Sequence, residues 1–332
     1  YQLCIMYHMY QRGKWQIMYY YYMYNFIIES DFEIQACDKL IFPSKNNKFE
    51  IIKYRRLTQE KKAEIYYCST YDMFTLKYYP LVAYETDKYI TLRYLDYYFV
   101  AISLNDNEII VDLDSVDPKM SVNVAIGGAL SICMFLLGYI PLHATALEYC
   151  KKPLVFIAPS KTGKSTLAYN LIQNGCQSIT DDVLPIKTCD NQLVCYSSKN
   201  LKIKIDTFLS NQFNIPLEEV NIVTPLENKY WHPLPIGVHS RKNFKIGYLF
   251  YLNPSKQNEN VSITALPRVE AIKTLLENVH FIHFFPKAKR AYLLEQILFF
   301  FKDITIYSVN YEKKYDAIPN ILDSVFEFVK KN

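Results

Sequence analysis

Glycine is scarce in this 332-residue chain, with eight residues against 30 tyrosines, and no internal repeat or low-complexity linker interrupts it. No Lys/Arg block exceeds a few residues and the net charge is only +4, so nothing points to a nucleic-acid-binding surface. No Cys-x-x-Cys pair occurs. The eight cysteines (Cys4, Cys37, Cys68, Cys133, Cys150, Cys176, Cys189 and Cys195) follow no disulfide framework and read as small buried hydrophobes in a reducing compartment. The start of the chain has no charged n-region leading into an apolar stretch, so no secretory signal is read and a cytoplasmic protein is expected. The tyrosine excess has no physical account in the sequence.

Half of the residues are hydrophobic, enough for a sizeable core in one large domain or two. Charge is absent between Lys119 and Glu148, and Val124 to Leu142 is long enough to span a bilayer. Glycines 127, 128 and 138, Ser131 and Pro141 lie within it and it runs straight into a strand-like segment, so a fully buried core helix is expected rather than a membrane span.

From Met18 to Leu113 apolar residues alternate with period two in short runs, including Asn25 to Glu29, Phe49 to Tyr54, Tyr89 to Leu95 and Tyr98 to Leu104. Polar clusters at Pro43 to Asn47, Thr58 to Lys62 and Asn105 to Asn107 separate them. This pattern predicts a β-rich antiparallel N-terminal subdomain over residues 1–115, with residues 116–332 as a second, α/β domain of α+β character packed against it. In the second part Leu201 to Phe208, Phe244 to Leu252, Val261 to Leu266 and Ile304 to Val309 read as strands. Arg268 to Val279, Ala288 to Lys302 and Tyr315 to Lys330 read as helices, the last through a stripe of Ile318, Ile321, Leu322, Val325, Phe326 and Val329.

The chemistry concentrates at Ala158-Pro159-Ser160-Lys161-Thr162-Gly163-Lys164-Ser165-Thr166, between the apolar run Pro153 to Ile157 and a helix-like segment that ends at Gly175, the position of a left-handed cap. This pattern reads as a phosphate-binding loop. Gly163 allows the backbone close to a polyphosphate, Lys164 reaches the outer phosphates, and the Ser165 hydroxyl suits magnesium. Its pattern departs from G-x-x-x-x-G-K-[ST] at the leading glycine, which is Ala158.

The next strand, Cys176 to Thr180, ends in Asp181-Asp182, at the sheet edge where open α/β sheets bind ligands. One carboxylate can hold magnesium with Ser165, and the other can take a proton from an attacking hydroxyl. His143 lies on a strand that hairpins onto the strand leading into the loop, within reach of the phosphates or an aspartate. His280 and His283 have the spacing of a metal pair without a third ligand. Arg241, Arg268 and Arg290 all qualify as a transition-state cation and nothing selects among them.

Leu142-His143-Ala144-Thr145-Ala146, the A-P-S-K-T-G-K-S-T loop, Gly175 and Thr180-Asp181-Asp182, with Lys164 and Asp181 17 positions apart, resemble the core of the HPr kinase/phosphorylase-like superfamily. The similarity is greatest to its shorter members from peptide-modification clusters, including kinases of lasso-peptide precursors. It covers Leu142 to Val183, about an eighth of the chain.

The resemblance implies a fold related to phosphoenolpyruvate carboxykinase, with the phosphate loop in a sheet that is not doubly wound, and ATP-dependent phosphorylation of a serine on a protein or peptide. It makes His143 an active-site residue, Lys164 and Ser165 ligands of phosphate and magnesium, Asp181 the base and Asp182 the metal partner. No counterpart of the C-terminal signature for dephosphorylation is present, so HPr itself is not the expected substrate. The expected cofactors are ATP and Mg2+. A switch ATPase without phosphorylated product and a small-molecule kinase are the rival readings, and a homo-oligomer is left open.

Overall fold

The computed structural model describes residues 7–11, 14–34, 50–67, 72–76, 79–94, 98–115, 118–159, 162–190, 192–198, 202–217, 222–224, 229–233, 243–255, 260–286, 289–300 and 304–332. Cys4, Cys37, Cys68, Ser160, Lys161 and Arg241, the cluster Pro43 to Asn47 and residues 234–240 lie outside them. The protein is mixed α/β and divides into two units. The first comprises residues 1–138, 222–228 and 281–288, and the second residues 139–221, 229–280 and 289–332. The first long helix therefore falls in the N-terminal unit, unlike a division drawn at residue 115.

In the first unit β1 (Tyr7–Gln11), β2 (Lys14–Met23), β3 (Phe26–Ser30), β4 (Glu50–Arg56), β5 (Asp72–Leu76), β6 (Tyr79–Glu85), β7 (Tyr89–Tyr94), β8 (Tyr98–Ser103) and β9 (Glu108–Val111) form one nine-stranded sheet in the order β1-β2-β3-β4-β9-β8-β7-β6-β5. Alternation is clear in β3, where Phe26, Ile28 and Ser30 are buried and the residues between them are partly exposed. The sheet is not purely antiparallel as expected, because β4 runs parallel to both β3 and β9. Period-two burial is the same for either strand direction, so the sequence pattern carries no signal for this.

The cluster Thr58 to Lys62 also differs from expectation. It opens helix α1 (Gln59–Tyr67), whose Lys61 N–H donates to the Thr58 hydroxyl at 3.2 Å, an N-cap that fixes where the helix starts.

The uncharged segment forms α2 (Pro118–Val124), a π-helical turn at Ala125–Ala129 and α3 (Leu130–Leu136). The helix starts six residues before the expected 124–142 and ends before Gly138, whose φ of 82° stops it. By length and composition Pro118–Leu136 could cross a membrane, yet slightly over half of its most apolar stretch is buried in protein. Burial is uneven: Leu130 to Phe135 of α3 are buried, whereas of α2 only Ser121 is, so the segment is not the fully buried helix expected. Tyr54 donates to the Ala125 carbonyl at 3.2 Å, Phe135 stacks on Phe285 with centroids 4.0 Å apart, and a Cβ at Gly128 would lie 2.3 Å from the Phe281 ring. Ser131 donates to the Gly127 carbonyl, the back-bonding that satisfies a hydroxyl inside an apolar helix.

The second unit carries β10 (Ile140–Tyr149), β11 (Lys152–Ile157), α4 (Lys164–Gln173), β12 (Gln177–Thr180), β13 (Val183–Cys189), β14 (Gln192–Tyr196), β15 (Lys202–Asp206) and α5 (Thr207–Phe213). After β16 (Ile222–Thr224), which belongs to the first unit, come β17 (Lys229–Pro233), β18 (Asn243–Lys245), β19 (Tyr248–Ser255), β20 (Ser262–Ala265), α6 (Arg268–Glu277), α7 (Arg290–Phe300), β21 (Ile306–Glu312) and α8 (Ile318–Lys331). The sheet order is β18-β14-β13-β10-β11-β19-β21-β20, with β12 also paired to β10. Strands β11, β19 and β21 are parallel neighbours, while β10, β12, β13, β14 and β20 pair antiparallel, so the sheet is mixed.

Three local features position the loop. Cys150 and Lys151, with φ of 49° and 63°, make the two-residue turn between β10 and β11. Gly175, with φ of 90°, ends α4 in a Schellman motif: its N–H bonds the Ile172 carbonyl at 3.0 Å and the Cys176 N–H bonds that of Leu171 at 3.0 Å. Helix α8 buries Ile318, Ile321, Leu322, Val325 and Val329 in one core with Leu167, Leu171, Phe156 and Phe250, the face its periodicity predicts.

Two expectations fail nearby. The strand read over Leu201 to Phe208 stops at Asp206, whose carboxylate caps α5 by accepting the Leu209 N–H at 2.9 Å. Cys150, taken as buried, is exposed in its turn, whereas Cys133, Cys176 and Cys195 are buried.

Candidate active site

The segment read as a phosphate loop follows the C-terminal end of β11, whose parallel partner β19 is in turn parallel to β21. Gly163 sits at the N-cap of α4 with φ of 99°, a left-handed conformation that side chains resist, so the second glycine of the pattern is required by the backbone. Ala158 is not in that region and is fully buried in the core. The backbone therefore does not demand glycine there. Ala158→Gly is expected to cost about 0.5–1 kcal/mol of stability, read from urea melts.

The loop is held from several sides. The Thr162 hydroxyl donates to the Pro159 carbonyl at 2.6 Å, and Tyr311 on β21 donates to the Thr162 carbonyl at 3.1 Å. Lys164 folds back to donate to the Ala158 carbonyl at 2.6 Å. Burial lowers Lys164 to about 8, although the charges of Asp182 and Asp181 oppose the shift.

Asp181 and Asp182 form the junction between β12 and β13. Adjacent residues of a flat strand point to opposite faces, but Asp182 has φ of 84°, a strained left-handed turn, and both carboxylates line the same cavity. The Thr180 hydroxyl closes this junction on the Val183 carbonyl at 2.8 Å, and the Ala144 N–H donates to the Asp182 carbonyl at 3.2 Å.

Strand β10 supplies the partners. His143 and Thr145 are two apart and so share a face. His143 Nε2 lies 3.5 Å from Asp182 Oδ1, and the Thr145 hydroxyl donates to Asp181 Oδ1 at 2.8 Å.

Lys204 on β15 completes the arrangement and was not singled out by the sequence. Its Nζ is 2.6 Å from Asp182 Oδ2, its backbone N–H donates to Asp181 Oδ2 at 3.3 Å, and its ammonium lies 5.1 Å from the Trp231 ring centroid. Trp231 is its direct cross-strand partner on β17, the register that puts ring and ammonium together. The only local hint was the alternating Lys202-Ile203-Lys204-Ile205-Asp206, which reads equally well as a solvated strand face.

The two carboxylates are driven apart electrically. Burial and the neighbouring Asp182 charge raise Asp181 above the usual carboxylate range, only partly offset by Thr145 and the Lys204 N–H. Burial pushes Asp182 the same way, but Lys204 and then His143 outweigh it and hold Asp182 well below that range. The result is one carboxylate locked as an anion and a second of raised basicity, the separation that acid–base sites use.

His280 belongs here too, though not as half of a metal pair. Its N–H bonds the Pro141 carbonyl at 2.8 Å, its ring lies 5.5 Å from that of His143, and burial lowers it to about 3, so it is neutral. His283 falls in the other unit, and no group of three or more His, Cys, Asp or Glu able to hold a metal occurs among the described residues.

His143, Thr145, Lys164, Ser165, Thr166, Asp181, Asp182 and Lys204 share one cavity of about 360 Å³ with Lys229, Lys313 and Lys314. Pro159, Thr162 and Gly163 line it as well, while Ala158 lies beneath it in the core. Among the described residues its cations are lysines. Neither Arg268 nor Arg290 lines it.

No protein-family model matches the chain, and no curated protein is similar to it. Among solved structures it is similar to the Hpr(Ser) kinase/phosphatase from Coxiella burnetii, at 16% sequence identity and a TM-score of 0.32, over 57% of this chain and 97% of that one. A likeness at that TM-score decides neither fold family nor activity.

Proposed function

We propose that this chain is a Mg-ATP-dependent kinase that phosphorylates a serine hydroxyl of a small protein or ribosomally made peptide. The observation that carries the phosphotransfer part is the unequal aspartate pair beside the phosphate loop, with basic Asp181 and ion-paired Asp182 lining one cavity with Lys164. The serine-bearing acceptor rests on the sequence resemblance alone.

The donor set fits magnesium. The Ser165 hydroxyl and the Asp182 carboxylate offer the oxygen ligands this hard cation takes. Bound there with the nucleotide, the ion would supply neutralisation of phosphate charge. The loop amides at the start of α4 and the Lys164 ammonium bind and orient the phosphates. Asp181 takes the acceptor hydroxyl proton as that oxygen bonds to the γ-phosphorus and the bond to the ADP oxygen breaks. Thr145 and the Lys204 N–H hold the Asp181 carboxylate in orientation.

Incubation with γ-labelled ATP and serine-containing peptides tests the reading. Labelled peptide is expected. Release of free phosphate alone would make the chain a switch ATPase, and label confined to a metabolite fraction would make it a small-molecule kinase.

A further inference from the structure

The cavity has an apolar wall that phosphate binding and proton transfer do not use. Phe208 at the start of α5 is 48% exposed, and among the exposed large hydrophobic side chains of the described residues it alone lines this cavity. Its ring packs edge-on against Tyr315, with centroids 5.4 Å apart and planes at 72°. Leu209, Leu252, Ile318 and Ile321 continue the wall.

Phe208 is thus the exposed end of an apolar wall that faces the lysines and aspartates across the same cavity, and an aromatic ring so placed offers a flat face to a planar ligand. Tyr315 follows Tyr311 by four residues, a reach of at most about 14 Å. Tyr311 itself is bonded to the loop at Thr162, so the aromatic wall is tethered close to the phosphate cradle. Lys313 and Lys314 lie between the two tyrosines and also line the cavity.

We propose that Phe208 and Tyr315 form the nucleobase subsite of this cavity, stacking the base of a nucleoside triphosphate whose phosphates rest on the Gly163–Thr166 loop. The inference rests on reading the cavity as a nucleotide site. A base fits this wall because stacking needs a flat apolar face and no particular hydrogen-bond pattern, which aromatic residues supply for any base. Binding is then bipartite, with charge at the loop and π-contact at the wall.

The test compares Mg-ATP with inorganic tripolyphosphate, which carries the phosphates without a base, on the full chain by calorimetry. Phe208→Ala is expected to weaken ATP about tenfold and leave tripolyphosphate within about twofold, and Phe208→Trp to restore ATP. Tripolyphosphate binding doubles as a check that the variant folds. Unchanged ATP affinity in Phe208→Ala would overturn the subsite, and so would equal weakening of both ligands, which would mean that Phe208 supports the loop or faces the acceptor. A wild-type chain that binds neither ligand would overturn the nucleotide reading and this subsite with it. Tight tripolyphosphate binding with no gain from the base would overturn the subsite alone.

Discussion

Asp181→Asn is expected to leave ATP binding nearly intact while lowering phosphoryl transfer by about 10²–10⁴-fold, the range for losing a general base. The loss should fall on kcat, because in the proposed reaction Asp181 meets the acceptor proton rather than the nucleotide. The wild-type pH profile tests the same assignment. A base must be deprotonated, and burial with the Asp182 charge raises Asp181, so kcat should fall with acidity at a pH above where an ordinary aspartate would titrate.

Stability follows with the opposite sign. A carboxyl raised by folding is most favourable when protonated, and its contribution is lost as pH rises through its folded value. At neutral pH the ionised Asp181 therefore costs stability, and Asp181→Asn should melt no lower than wild type. A variant that keeps most of its transfer activity would remove Asp181 as the base.

Lys164→Ala should have a comparable effect through a different parameter. Removing a preorganised cation aimed at transferring phosphate costs about 10²–10³ in rate, and ATP affinity should fall as well, because in the proposed reaction Lys164 also meets the ground-state phosphates. Burial brings Lys164 down to about 8. Wild-type affinity for ATP should then decline as pH rises above about 8, and binding in that range should take up a proton, visible as a heat that depends on the buffer. Lys164→Ala should bind weakly with no such pH step. A step that persists in the variant would assign it to another group.

The division between what was legible and what was not runs through particular residues. Gly163 and Gly175 could be read because each is dictated locally: a left-handed turn needs glycine. The α8 stripe was legible because burial of one helix face imposes its own period. Strand direction in the first sheet was not, since β4 alternates identically whether its neighbours run with it or against it. The end of β15 was misread because Asp206 breaks the strand by capping, a polar event inside an apolar run.

Sequence by itself thus determined the Gly163 turn at the start of α4, the aspartate pair after β12 and the strand bearing His143, all tied to one short span of chain. Only the tertiary structure decided how these groups are charged. Lys204 and Trp231 come from an antiparallel strand pair, β15 and β17, whose members are separated in the chain by α5 and β16, His280 from the segment after α6, and Phe208 and Tyr315 from two further elements. Electrostatic inequality between two neighbouring aspartates depends on which cation lies 2.6 Å from one of them and not the other, a distance that chain folding sets and residue order does not.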